Sequence, residues 1–234
     1  MFPPSEPVVN IFSGSYRGYY GLAQSGLEEP MTTHSDHYET NRAYGSAAYS
    51  KGAVTLGQLS YIMGHELFMK AMRRYFNTWK FKHPNANDFK RIMEKESGLE
   101  LDWYFEHWVG TTNTIDYGIG NVMPKGGGTM VNFHRHGNMM MPLEVAVTTN
   151  DGNTEMFYIP LRIMRGEKAA ENEMKRTTLE DWPWTYEQYT AMIPIKMENI
   201  ESIVIDPSGR LADVDPSNNF IEFKEPDVIF MPKK

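Results

Sequence analysis

The sequence predicts an α+β protein, with an N-terminal helical unit followed by an antiparallel β-sandwich-like domain. Three observations predict it. Apolar residues recur with helical period as far as Gly110 and alternate beyond it. Glycines stand where the helical stripes stop, at Gly64, Gly98 and Gly110. Short alternating stretches separated by turn signals fill the second half, a pattern expected of a sandwich. The divisions expected are 1–40, an irregular segment leading into the helical unit; 41–116, the helical unit itself; and 117–234, the β-sandwich-like domain.

Residues 1–40 are rich in Pro, Ser, Gly and Tyr and show no clear period, which reads as loop with short helical turns. A first helix is expected over Asn41 to Met63. It carries Gly45, Ser46, Ala47, Ala48, Gly52, Ala53 and Gly57, small residues that let another backbone approach closely. A second is expected over Glu66 to Trp79, with Leu67, Phe68, Ala71, Met72, Tyr75, Phe76 and Trp79 on one stripe. Asn85 or Asn87 can cap a third helix that Gly98 ends, burying Phe89, Ile92 and Met93. A fourth starts near Leu101, with Tyr104, Phe105, Trp108 and Val109 completing its apolar face.

Strands then follow. Val131 and Phe133 alternate with polar residues, and Leu143, Val145 and Val147 alternate with Glu144 and Ala146. Asp151-Gly152-Asn153 is a hairpin signal, and Met156 and Tyr158 lie on the return strand. Ile193-Pro-Ile195 and Ile203-Val-Ile205 read as two more strands, and Gly166 to Tyr189 as an irregular insertion.

Composition narrows the function. The 234 residues carry 30 acidic and 23 basic side chains, a formal charge of −7. That balance argues against a nucleic-acid partner, which needs a clustered basic surface. Without cysteine there are no disulfides, cysteine zinc sites or thiol chemistry. The 17 Met read as adaptable core filler. No run approaches the roughly 18 apolar residues of a membrane helix, so no membrane partner is expected. The start, MFPPSEPVVNIF, lacks the basic and apolar regions of a signal peptide and reads as a cut into a longer chain. The compartment is not legible.

The run Tyr44-Gly-Ser-Ala-Ala-Tyr49-Ser-Lys-Gly52 resembles the tyrosine segment of the aminopeptidase N family of zinc metallopeptidases, thermolysin-like gluzincins. The downstream text is similar to that family as well: Tyr75-Phe, Phe81-Lys-His-Pro84, Asn87-Asp-Phe89, Glu96-Ser-Gly98 and Leu101-Asp-Trp-Tyr-Phe105 with Trp108. Val204-Ile-Asp-Pro207, Asp213 and Asn218-Asn219 look like the family's small β-domain. The resemblance runs from about Leu27 to Phe223 and implies the C-terminal half of such an enzyme: the end of the catalytic domain, then a β-sandwich. It implies a zinc cofactor and a peptide substrate for the whole enzyme. The family's His-Glu-x-x-His zinc motif and Gly-x-Met-x-Asn-type strand do not occur here, and His65-Glu66 is followed by Met69 where a second His would stand. By the resemblance, the chain alone binds no catalytic zinc, is inactive, and has a missing N-terminal catalytic half as its partner, with self-association through the surface that half would cover.

Zinc-assisted peptide hydrolysis needs a Lewis acid, a carboxylate that takes the proton, and a group that stabilises the oxyanion of the tetrahedral intermediate. A phenol, titrating near about pH 10, stays protonated and can donate that last hydrogen bond at neutral pH. The resemblance assigns Tyr49 this catalytic role. Tyr44, five residues earlier and roughly 140° around an ideal helix, is assigned the lesser role of a substrate-cleft wall. Lys51-Gly52 reads as helix packing.

Other constellations have plainer readings. His34-Ser-Asp-His37 lies in a loop without further ligands. His134-Arg-His136 puts two imidazoles on one strand face, enough for adventitious nickel or zinc. Asp206, Asp213 and Asp215 do not match an EF-hand loop and read as turn formers. Trp103, Tyr104, Phe105 and Trp108 follow helical period and read as core. The alternative function is a stand-alone, non-catalytic helical plus β-sandwich binding module in which Tyr49 only packs.

Overall fold

The computed structural model describes residues 13–171 and 174–223. The stretches at 1–12 and 224–234, where part of the irregular segment and the end of the second unit were expected, lie outside the described residues. Six α-helices among the described residues precede eight strands: α1 Ser13–Ala23, α2 Asn41–Gly45, α3 Gly52–Met63, α4 His65–Trp79, α5 Ala86–Ser97 and α6 Asp102–Gly110, then β1 Tyr117–Lys125, β2 Gly128–Arg135, β3 Leu143–Thr149, β4 Thr154–Ile159, β5 Arg176–Thr178, β6 Gln188–Ile193, β7 Ile200–Ile205 and β8 Phe220–Glu222. The α+β class is therefore correct. No helix among the described residues is long and apolar enough to cross a membrane.

The helices form where local chemistry asks for them. Asn85 Oδ1 accepts from the amides of Asn87 (2.9 Å) and Asp88 (3.2 Å), and Asp88 Oδ2 accepts from the Asn85 amide at 3.0 Å, a reciprocal capping box. Gly98 ends α5 in the left-handed conformation, φ 71°. Replacing Asn85 with Ala is expected to cost about 1 kcal/mol of stability in urea unfolding; a loss below about 0.3 kcal/mol would show that the cap carries no weight. Tyr75, Phe89 and Phe105 stack edge to face (5.0 and 6.1 Å), joining α4, α5 and α6. The Tyr104 hydroxyl donates to the Thr55 carbonyl at 2.5 Å and ties α6 to α3.

Four expectations need correction. Residues 1–40 are not irregular throughout, because α1 lies within them. Its glycines hide the pattern, while Tyr16, Tyr19 and Leu22 form a buried stripe three residues apart. The helix expected over 41–63 is broken by a π-helical turn, Ser46–Lys51, between α2 and α3. The apolar stripe of α4 is buried at Phe68 and Ala71, but Phe76 is exposed. Gly166 to Tyr189 is not wholly irregular: it contains β5, and β6 begins at Gln188 and stops at Ile193, before Pro194, since proline has no N–H for a ladder.

The strands make two sheets, ordered β1-β2-β6 and β5-β4-β3-β7-β8. All pairs are antiparallel except β4 with β5, where Met156, Phe157 and Tyr158 face Arg176, Thr177 and Thr178 in parallel. Central β3 is buried on both faces, so Glu144, which alternates with Leu143, Val145 and Val147, is buried as they are. One continuous apolar core runs from Leu59, Ile62, Tyr104 and Trp108 in the helices to Tyr117, Phe133, Val145 and Phe157 in the sheets.

Polar stitching accompanies that core. The Arg210 carbonyl accepts from Tyr16 OH (2.5 Å) and Gln58 Nε2 (2.7 Å), and Gln58 Oε1 accepts from the Ala212 amide at 3.1 Å. Asp206 shapes this loop: its carboxylate accepts from the Leu211 amide (2.6 Å) and Ser208 Oγ (2.6 Å) with its backbone at φ 50°. Burial raises its pKa to about 6, against the lowering by its hydrogen bonds and with a further push from Glu144. A carboxyl raised in the folded state loses its proton first when unfolded, so this group subtracts stability as pH climbs from about 4 to about 6. Relative to wild type, Asp206→Asn is expected to gain up to about 3 kcal/mol between pH 4 and pH 7. Asn also tolerates the left-handed backbone. A stability difference that does not move with pH would remove Asp206 from this role.

Candidate functional site

The tyrosine segment is built on small residues. Thr40 Oγ1 caps α2 by accepting from the Ala43 amide at 3.0 Å. Ala43 and Ala47 are buried against Leu22 of α1 and Tyr38. α1 crosses the π turn so closely that a Cβ on Gly18 would lie 2.4 Å from Ser50 Oγ, so any side chain there would force Ser50 to shift. The turn closes through the Gly52 amide, which donates to the Ala47 carbonyl five residues back.

Lys51 is fully buried and its carboxylate partner nearly so. Its Nζ donates to Glu28 Oε1 at 2.6 Å and to the Thr111 carbonyl at 2.9 Å, and it sits 5.7 Å from the centre of the Trp108 ring. Burial raises the Glu28 pKa above the usual carboxylate value, and the charge and hydrogen bond of Lys51 oppose that rise. The packing expected of Lys51 is thus an ion pair whose acid lies 23 positions upstream, with nothing in the local spacing to flag it.

Tyr49 points the other way and is 78% exposed. Its hydroxyl has no hydrogen-bond partner among the described residues. Tyr44 is also exposed, with its ring edge-on to Tyr38 at 5.5 Å. The inserted π turn brings residues five apart closer around the axis than the roughly 140° of an ideal α-helix.

The other constellations behave plainly. His34 Nδ1 accepts from the Asp36 amide at 3.3 Å and forms a local turn. His134 and His136 stack with rings 5.9 Å apart. Asp213 accepts from the Asp215 amide (2.9 Å) and Asp215 from the Ser217 amide (3.2 Å), as turn formers do, while Asp213 also accepts from the Tyr117 amide (3.0 Å) far along the chain. Trp103, Tyr104 and Trp108 are buried core.

The residues present do not fit a catalytic zinc. Among the described residues, the one group of three close metal-ligating side chains is Glu94, Glu100 and Asp102. It contains no histidine, Asp102 is bonded by Lys90, and zinc prefers nitrogen and sulfur ligands. His65 opens α4 with its amide donating to Glu171 at 2.9 Å, and Met69 stands one turn on. What this surface offers, among the described residues, is a phenol hydroxyl without a hydrogen-bond partner and the exposed ring of Tyr44.

A second polar cluster escaped the sequence reading. Lys168, fully buried, binds Glu144 at 2.7 Å and Glu171 at 2.8 Å and lies 4.4 Å from the Tyr61 ring centre. Arg210 holds Glu171 through two nitrogens, at 3.1 and 2.5 Å. Burial acts to raise the Glu171 pKa, but the Arg210 hydrogen bond and the charge and hydrogen bond of Lys168 overcome it and bring it to about 2.

Comparison with known proteins bears on the helical half. Residues 22–108 match the Peptidase family M1 domain. Probable aminopeptidase 2 of Sulfurisphaera tokodaii is 30% identical over 71 residues, covering 30% of this chain and 9% of its own. Aminopeptidase N of Escherichia coli is 30% identical over 76 residues, 32% of this chain and 9% of its own. The crystal structure of Legionella pneumophila aminopeptidase A in complex with aspartic acid superposes with a TM-score of 0.52 at 12% identity, over 73% of this chain and 18% of that one, a likeness of fold. The matched segments span less than a tenth of the curated relatives' length.

Proposed function

We propose the following role for a chain whose residues 22–108 match the Peptidase family M1 domain. The chain is the distal portion of a zinc-dependent aminopeptidase, and Tyr49 is the residue that donates a hydrogen bond to the oxyanion of the tetrahedral intermediate. The carrying observation is the contrast within one turn: Lys51 and Ala47 are buried while Tyr49, between them, stands exposed with no hydrogen-bond partner among the described residues. Such a donor is available to a substrate oxygen. Tyr44, exposed beside it, walls the substrate cleft. Residues up to about 116 close the catalytic domain, and the sheets from 117 on support it. The substrate is a peptide with a free N-terminus, as the names of the relatives fit.

The zinc and its ligands would come from the missing N-terminal catalytic half, which would cover the exposed Leu27, Tyr44 and Tyr49 side. Zinc there would supply the Lewis acid. This chain's own contribution is a hydrogen bond and a packed platform for it.

The isolated chain is expected to show no aminoacyl-amide hydrolysis and to hold no stoichiometric catalytic zinc after chelation and dialysis. Metal analysis and a fluorogenic aminoacyl-amide assay test this. One tight zinc per chain, kept when His34, His37, His134 and His136 are replaced, or turnover by the isolated chain, would overturn the proposal.

A further inference from the structure

We infer that the buried Lys51–Glu28 ion pair is the positioning device of Tyr49: it fixes the π turn so that the phenol faces outward. The chemical meaning of that position rests on the reading of Tyr49 given above; the positional claim does not.

A lysine with no exposed surface is rare, because removing two charges from water costs more than their attraction commonly returns. Matched apolar side chains would usually be as stable or more so. A pair kept in spite of that is accounted for if it specifies a conformation. Lys51 is built to do so. Its Nζ is held from two segments at once, by Glu28 ahead of α2 and by the Thr111 carbonyl just past α6, with the Trp108 ring of α6 as a third neighbour. These contacts fix the direction of the Lys51 side chain. Residues two apart on a helix point roughly 200° apart. With Lys51 held inward, Tyr49 must point outward, as its exposure records.

The turn itself needs such a hold. A π turn is an insertion that an ordinary α-helix would absorb. Here it lies between two α-helical stretches, closed by the Gly52-to-Ala47 hydrogen bond. Ser50, between Tyr49 and Lys51, lies close against Gly18 of α1, a second contact on the buried side of the turn. Relaxing the turn to α geometry would swing Tyr49 around the axis and pull Lys51 from Glu28. The pair and the orientation of the phenol are therefore one conformational choice.

The test uses the full chain labelled with 3-fluorotyrosine, with the Tyr49 resonance assigned by its loss in Tyr49→Phe. Lys51→Met alone leaves a buried unpaired carboxylate and risks unfolding, so the deciding variant is Lys51→Met with Glu28→Leu, which removes both charges. The double variant is expected to fold with a melting temperature near or above that of wild type. Its Tyr49 fluorine resonance is expected to move and broaden, and amide exchange across residues 46–52 to speed up at least 100-fold, while α5 exchanges within threefold of wild type. A folded double variant with a wild-type Tyr49 resonance and wild-type exchange overturns the inference. A double variant that does not fold overturns it too, by making the pair structural. In a zinc-loaded enzyme carrying this segment, the same variant is expected to lower kcat at least 30-fold with KM within twofold. An unchanged kcat in Tyr49→Phe there would remove the catalytic reading and leave the resonance and exchange results standing.

Discussion

Tyr49→Phe is expected to lower kcat for aminoacyl-amide hydrolysis by about 100-fold or more in a zinc-loaded enzyme that carries this segment. In the proposed role the phenol would donate to an oxygen that gains full negative charge only near the transition state, so its loss should fall on kcat more than on KM. Phenylalanine keeps the ring, and the exposed hydroxyl makes no hydrogen bond within the described chain, so stability should be unchanged within about 0.5 kcal/mol. Zinc content should also be unaffected, since no ligand is touched. Tyr44→Phe should cost far less, as its ring stands edge-on to Tyr38 and the proposed role for it is only that of a wall. Steady-state kinetics with metal analysis on both variants decide the matter. Near-wild-type turnover for Tyr49→Phe, or a larger loss for Tyr44→Phe, would show that the wrong tyrosine was assigned.

The largest effect on stability is expected at Lys168. Replacing it with Met should cost about 3–5 kcal/mol at pH 7, because two carboxylates then share a largely buried site with only Arg210 to balance them. The effect has a signed pH dependence. The Glu171 carboxyl is depressed to about 2 in the folded chain, against an unfolded value of about 4.3. A depressed pKa contributes stability above the unfolded value and loses it as pH falls towards the folded one. The gap between wild type and Lys168→Met should therefore narrow from about pH 5 down to about pH 2. Adding Glu144→Leu should return part of the loss, since an apolar replacement of both partners is far less costly than one orphaned charge. Urea unfolding across that pH range measures all three. A loss under about 1 kcal/mol, or a gap that does not vary with pH, would mean that Lys168 does not hold the helices to the sheet.

The elements legible in the sequence are those whose cause is local. Asn85 and Asp88 cap α5 through bonds spanning three residues, and Gly98 ends it with a backbone angle that other residues avoid. The change from helical to alternating period near Gly110 is likewise a property of neighbours, and the helices do stop and the strands begin there. Tyr49 could be singled out because the segment around it is a short contiguous motif.

What the sequence left hidden depends on partners far along the chain. α1 reads as glycine-rich loop because Gly18 answers to Ser50, 32 positions on, rather than to its own helix. The burial of Glu144 leaves no local trace because its partner Lys168 arrives from a loop beyond β4. The π turn has no propensity signature, since it follows from Lys51 meeting Glu28 and Thr111 across the fold. The sequence by itself determined the α+β class, the helix ends and the candidate tyrosine, because those follow from bonds and periodicities within a few residues. Only the tertiary structure decided which way that tyrosine faces and which charges are buried, because a charge can leave water only where a distant opposite charge is brought to meet it.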